Sequence, residues 1–280
     1  MLEVTEVPAL KSWLRSTRAD GRRIGFVPTM GFLHEGHLAL LDEARRQADA
    51  VVMSVFVNPL QFGPAEDFER YPRDLDRDRG LATERGVDLL FVPTVATMYP
   101  PGADTRVTPG PAADRWEGAV RPGHFVGVLT VVAKLFHLVE PDVACFGQKD
   151  IQQVTLLRHM VRDLDFPVRL AVLPTVREPD GLALSSRNAY LNASERRDAL
   201  ALSRGLRSAA AAWSAGERSG RALEALIHRE VDAAPALRAD YIAAIDPEHL
   251  DRVDAAPPGT ILAVAARAGR TRLIDNLILQ

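Results

Sequence analysis

The chain has 280 residues, 47% of them hydrophobic and 25% charged, with a formal net charge of −3; this is globular composition, long enough for one large domain or two modest ones. So small a charge provides no sequence-wide attraction for nucleic acid or an anionic membrane, and any phosphate binding has to be local. Cys145 has no partner for an intrachain disulfide, the first 20 residues mix Glu3, Glu6, Lys11 and Arg15 with apolar residues, and no apolar run reaches membrane-spanning length; we therefore expect no signal segment and a cytoplasmic setting.

The apolar run 24–27 reads as a buried parallel strand. It is followed by the loop Pro28-Thr29-Met30-Gly31-Phe32-Leu33-His34-Glu35-Gly36-His37 and then by Leu38, Leu41, Ala44 and Ala48 at helical spacing. A helix beginning near His34 puts His34 and His37 on one face of its first turn, where free backbone N–H groups and the helix dipole favour an anion. Gly31 and Gly36 would let a phosphate approach the backbone closely. The plain alternative is a pair of surface histidines at a helix start. A zinc site is disfavoured because no third ligand is obvious and the spacing is not i, i+4.

A second strand over 51–57 leads into Asn58-Pro59-Leu60-Gln61-Phe62-Gly63, whose neutral amides suit hydroxyls or a carboxylate that must stay nucleophilic; a simple turn is the competing reading. A βα pair is expected around 88–92, and 128–138 reads as a helix feeding a strand at 143–146. That strand opens into Gly147-Gln148-Lys149-Asp150 and a helix in which Ile151, Val154 and Leu157 form the buried face while Lys149 and Gln153, four apart, share another. Only three of the 34 basic residues are lysines, Lys11, Lys134 and Lys149. A lysine beside a helix N-terminus is unfavourable unless an anion lies between them, though a solvated pair with Asp150 is equally open.

After a strand over 168–173, the turn Glu178-Pro179-Asp180-Gly181 precedes Leu184-Ser185-Ser186-Arg187-Asn188. This segment either closes on phosphates through the Arg187 guanidinium or caps the next helix. Alanine-rich helices over 194–215 and 221–233, then short strands at 241–245, 261–266 and 272–276, form a separate small unit. The pattern predicts an α/β chain: a doubly wound, Rossmann-like parallel-sheet domain over 1–176 and a smaller α+β lid domain over 177–280.

The runs 28–37, 54–62 and 147–150, with Gln152-Gln153 and 184–188, closely resemble the pantothenate synthetase (pantoate–β-alanine ligase) family in order and spacing, within the superfamily that carries a His-x-Gly-His loop. Gly123-His124-Phe125 and the stretch 130–136 also resemble it, whereas the last 80 or so residues add little. Ile151 and Leu184 stand where the family often has an aromatic residue and a methionine, differences of packing rather than charge.

The resemblance implies that ATP is contacted by Pro28, Thr29, Met30, Gly31, Phe32, Leu33, His34, Glu35, Gly36 and His37, by Gly147, Gln148, Lys149, Asp150 and Val176, and by Leu184, Ser185, Ser186 and Arg187. It implies His37 as proton donor and stabiliser of charge at the α-phosphate, with His34, Lys149 and Arg187 assisting. Gln61 and Gln153 would hold pantoate and Gln61 also β-alanine. Mg²⁺ would be held mainly by the triphosphate with no protein metal site, and the assembly would be a homodimer. Two other readings share the histidine loop: a nucleotidyltransferase acting on a phosphopantetheine-like substrate, and a non-catalytic ATP-sensing module.

Overall fold

The computed structural model describes residues 1–64 and 66–280. The chain divides into two compact units, residues 1–147 with 156–173, and residues 148–155 with 174–280.

The first unit is built on six strands, β1 (Leu2–Val4), β2 (Ile24–Thr29), β3 (Ala50–Val55), β4 (Leu89–Phe91), β5 (Val143–Gly147) and β6 (Arg169–Leu173), all parallel in the order β1-β4-β3-β2-β5-β6. The inner strands β2, β3, β4 and β5 are buried because the sheet is covered on both faces, which is why they read as continuous apolar runs rather than as alternation. The helices are α1 (Val7–Ala19), α2 (Glu35–Gln47), α3 (Leu75–Glu84), the single turns α4 (Val95–Met98) and α5 (Glu117–Val120), α6 (His124–Val139) and α7 (Ile151–Asp163). The first turn of α7 belongs to the second unit. Leu38, Leu41 and Ala44 of α2 pack with Val27, Val51, Met53 and Cys145 in one core. Helix α6 is apolar almost all round and correspondingly buried.

Chain order runs outward from β2 through β3 to β4, then returns to β5 on the other side of β2. The sheet therefore has its topological switch between β2 and β5, and the carboxyl ends of those two strands flank the crevice in which ligands of such sheets bind. The loop 28–37 leaves one of them and Gly147 ends the other.

The second unit packs α8 (Ala193–Ser214) and α9 (Gly220–Asp232) on an antiparallel sheet of β7 (Leu237–Ile245), β8 (Ile261–Ala268) and β9 (Thr271–Ile278). Leu202, Leu206, Trp213, Leu223, Ile227, Leu262 and Val264 form its core. A capping box of Asn192 and Glu195 starts α8. No helix among the described residues is long and apolar enough to cross a membrane.

Candidate active site

In the first unit the loop after β2 turns through two left-handed residues, Gly31 (φ 81°) and Phe32 (φ 52°). Glycine tolerates that conformation and phenylalanine does not, so something must hold it. Asp78, buried in the first turn of α3, does so: its two carboxylate oxygens accept the Phe32 and Leu33 N–H groups, both at 2.7 Å. Arg77 adds a donor to the Leu33 carbonyl at 2.8 Å and lies over the Phe32 ring. The Phe32 and Leu33 N–H groups are thus spent on the loop's own shape.

His34 is the N-cap of α2. Its Nδ1 accepts from Gly36 N–H at 3.2 Å, and Nδ1 of His37 accepts from His34 N–H at 3.3 Å. This is a capping box made of two imidazoles, with ring centroids 4.1 Å apart. Both rings accept through Nδ1, so a neutral ring keeps its proton on Nε2. The helix start thereby holds two directional donors in fixed tautomers beside its own positive end.

The 3-10 turn Pro59–Gln61 follows β3. Gln61 donates from Nε2 to Sδ of Met30 at 3.1 Å, which joins this turn to the histidine loop. Asn58 is buried and its amide fully engaged: Nδ2 donates to Oε1 of Gln61 and to the Gly127 carbonyl, both at 3.1 Å, while Oδ1 accepts from Leu60 N–H and from the Tyr99 hydroxyl at 2.9 Å. Sequence reasoning offered Asn58 and Gln61 together as neutral amides, with a simple turn as the competing reading. In the structure Asn58 orients Gln61, since a donor at Oε1 fixes which end of the Gln61 amide carries the N–H groups.

In the second unit the turn Gln148–Asp150 precedes α7. Lys149 and Gln153 are half-buried, and Ile151, Val154 and Leu157 are buried as the periodicity requires. The Lys149–Asp150 pair that the sequence left open is loose, at 4.0 Å. Val176 and Leu184 are brought together across a hairpin, Leu184 N–H donating to the Val176 carbonyl at 3.0 Å. Ser185 caps the 3-10 turn Ser186–Tyr190 by accepting Arg187 N–H, whereas the next helix, α8, is capped by Asn192. Asn188 ties this turn to Glu178 and the Ala183 carbonyl, and Arg196 bridges Glu178 and Asp180 at 2.7 Å each.

A family model described as pantoate-beta-alanine ligase matches residues 3–278. The chain belongs to the pantoate–β-alanine ligase family. A pantothenate synthetase from Acidobacterium capsulatum is 54% identical over 278 residues, covering 99% of this chain and 92% of that one. The crystal structure of pantothenate synthetase from Thermus thermophilus is 51% identical, with a TM-score of 0.95 over 100% of this chain and 99% of that one. The pantoate-beta-alanine ligase of Francisella tularensis, described as complexed with beta-gamma ATP and β-alanine, is 33% identical with a TM-score of 0.82, covering 99% and 97%. The family match extends through the C-terminal 80 residues in which the sequence motifs were silent.

Several supporting residues of this ligase fold were missed by sequence reasoning: Asp78, Tyr99, Arg121 and Gly127. Burial raises the Tyr99 hydroxyl to about 12, so it remains a donor at any working pH. Tyr99→Phe is expected to raise the pantoate KM about 3- to 10-fold with kcat within about twofold, because one hydrogen bond that orients Asn58 is lost while volume is kept. An unchanged KM would show that Asn58 needs no such help.

His124 lies under the same turn. Its Nε2 faces Nη1 of Arg121 at 3.0 Å and its Nδ1 faces the Gln61 carbonyl at 2.8 Å, which selects the neutral Nδ1–H tautomer. Arg121 is in turn paired with Glu66 at 2.6 Å. Burial first, then the Arg121 charge, lowers the His124 pKa to about 4. An unfolded histidine takes its proton near 6.5. Between these values the unfolded chain binds more protons, so stability falls as pH drops from about 6.5 toward 4, and above 6.5 His124 adds no pH dependence. Thermal melts from pH 7 to 4.5 are expected to show a steeper acid decline for the native chain than for His124→Gln.

Cys145 is buried in β5, and burial pushes its thiol up to about 12. A thiol so placed is no nucleophile at neutral pH.

Proposed function

We propose that this chain condenses (R)-pantoate with β-alanine, using ATP and releasing AMP and pyrophosphate, by way of a pantoyl-adenylate. The observation that carries the proposal is a contact within the first unit: the loop bearing His34 and His37 touches, through Met30, the Gln61 amide that would hold the acid. A thioether is a weak acceptor, so a carboxylate or hydroxyl oxygen of pantoate displaces it favourably. A neutral amide holds that carboxylate without quenching its nucleophilicity, as a guanidinium would. Gln61 also serves β-alanine, and Gln153 is the second pantoate ligand.

In the first step a pantoate carboxylate oxygen bonds to the α-phosphorus and the bond to pyrophosphate breaks. His37, with its Nε2–H held in place by the capping box, donates to the oxygen on which charge grows, and His34 assists. Lys149 and Arg187 neutralise the phosphates. The residues 28–37, Gly147, Gln148, Asp150, Val176, Leu184, Ser185 and Ser186 contact the nucleotide. In the second step the β-alanine amine attacks the acyl carbon and AMP leaves. Exclusion of water protects the mixed anhydride.

Among the described residues no group of three or more His, Cys, Asp or Glu is placed to hold a metal ion. Mg²⁺ would arrive with ATP and would supply neutralisation of phosphate charge. A homodimer in the cytoplasm completes the proposal, on the strength of the family resemblance.

The test is incubation of ATP and pantoate with and without β-alanine. Pantoate alone should support pyrophosphate exchange, and all three substrates should give AMP and pantothenate by mass spectrometry. Failure of pantoate to trigger exchange would overturn the proposal in favour of nucleotidyl transfer to another acceptor.

A further inference from the structure

Asn276 of β9 is buried at 2% exposure, and its amide is spent on a segment more than 120 residues earlier. The two hydrogens of Nδ2 go to two successive carbonyls, Gln148 O at 3.0 Å and Lys149 O at 2.9 Å. Oδ1 accepts Nε2–H of Gln148 at 3.1 Å. This arrangement fixes the amide's orientation, because the reverse flip would set an oxygen against two carbonyl oxygens.

The two carbonyls belong to different peptide planes. That of Gln148 lies in the plane before the Lys149 Cα, and that of Lys149 in the plane after it. Peptide groups are rigid, so anchoring both planes to one side chain fixes the φ and ψ between them, and with them the direction of the Lys149 Cα–Cβ bond. The Lys149 ammonium has no close side-chain bond among the described residues to do this, Asp150 lying 4.0 Å away. Asn276 is itself held. Its backbone N–H donates to Asp275 Oδ1 at 2.8 Å, and the buried Asp275 carboxylate takes both arms of Arg177 at 2.6 and 2.9 Å. A surface turn gains little from so much buried polar structure, whereas a lysine that must meet a developing charge gains its aim.

We propose that Asn276 is a positioning residue for adenylate formation: it sets the backbone of the Gln148–Asp150 turn so that Lys149 is aimed before substrate arrives. This rests on the reading of Lys149 as a phosphate ligand given above. The catalytic group is Lys149, and Asn276 acts through it.

The test is a double-mutant cycle in the intact chain, read by pantoate-dependent pyrophosphate exchange with thermal melts alongside. Lys149→Ala alone should lower kcat about 100-fold. Asn276→Ala alone should lower kcat about 30-fold, with the pantoate KM changed less than about twofold. In the Lys149→Ala background the same Asn276 change should cost less than about threefold, since its target is gone. Asn276→Asp keeps the shape and removes both donors while ionised; its loss of kcat should shrink as pH is lowered and the carboxyl regains a donor. If Lys149→Ala leaves kcat intact, the reading of Lys149 fails. If that variant is impaired but the Asn276 loss carries over undiminished into the double variant, the positioning role is overturned. Failure of both Asn276 variants to fold would also overturn it, making the residue structural.

Discussion

Replacing His37 by glutamine is expected to lower the rate of adenylate formation about 100- to 1,000-fold while ATP affinity changes by less than about threefold. Glutamine is chosen because position 37 has two jobs. The His37 ring caps the helix by accepting the His34 N–H, and glutamine at N3 is the ordinary partner in a capping box. Alanine would remove the cap as well, at about 1 kcal/mol, and blur the result. Glutamine preserves the helix start but cannot offer a ring N–H at the same reach or supply a proton. The distinction matters because an interaction that strengthens only as charge moves to the phosphate oxygens acts on kcat, whereas one equally strong with bound ATP acts on KM. Equal losses in both quantities, measured by pyrophosphate exchange and by equilibrium nucleotide binding, would reduce His37 to a binding residue.

The same loop shows where the sequence was legible. Strands β2, β3 and β5 stood out because burial on both faces leaves continuous apolar runs, and α2 because Leu38, Leu41 and Ala44 recur on one stripe. Helix α3 did not stand out. Half of its ten residues are charged, and the positions it buries are Asp78 and Ala82, so a carboxylate interrupts what would otherwise be its apolar stripe. Its inward face carries a carboxylate because that face holds the Phe32 and Leu33 N–H groups. A buried acid serving a backbone about 45 residues away leaves no periodic signal. The same holds for Asn276, which belongs to a β-strand by pattern and to the Lys149 turn by hydrogen bonding. The motif residues were visible because their types and spacing carry the family resemblance, while those that orient them are dictated by tertiary contacts that no local pattern encodes.

Gly127 is the sharpest case of this kind, because local propensity and tertiary packing predict opposite signs for one substitution. It sits inside the buried helix α6, where alanine is intrinsically favoured over glycine by about 1 kcal/mol. A Cβ at that position would stand 2.2 Å from the Leu60 carbonyl oxygen, 2.4 Å from its carbon and 2.6 Å from Gln61 N. All three are backbone atoms, so no rotamer change relieves the collision; either α6 or the Pro59–Gln61 turn must move. Overpacking of this sort costs up to about 3 kcal/mol, which outweighs the propensity gain and leaves Gly127→Ala less stable by about 2 kcal/mol. For a chain of this size that is a fall in Tm of about 4–8 °C. The Asn58 Nδ2 bond to the Gly127 carbonyl lies in the displaced region, and with it the link that orients Gln61. The pantoate KM should therefore rise about 10-fold while ATP binding is spared. A melting temperature at or above that of the native chain would mean that propensity wins, and that the close approach of helix to turn is not what places Gln61.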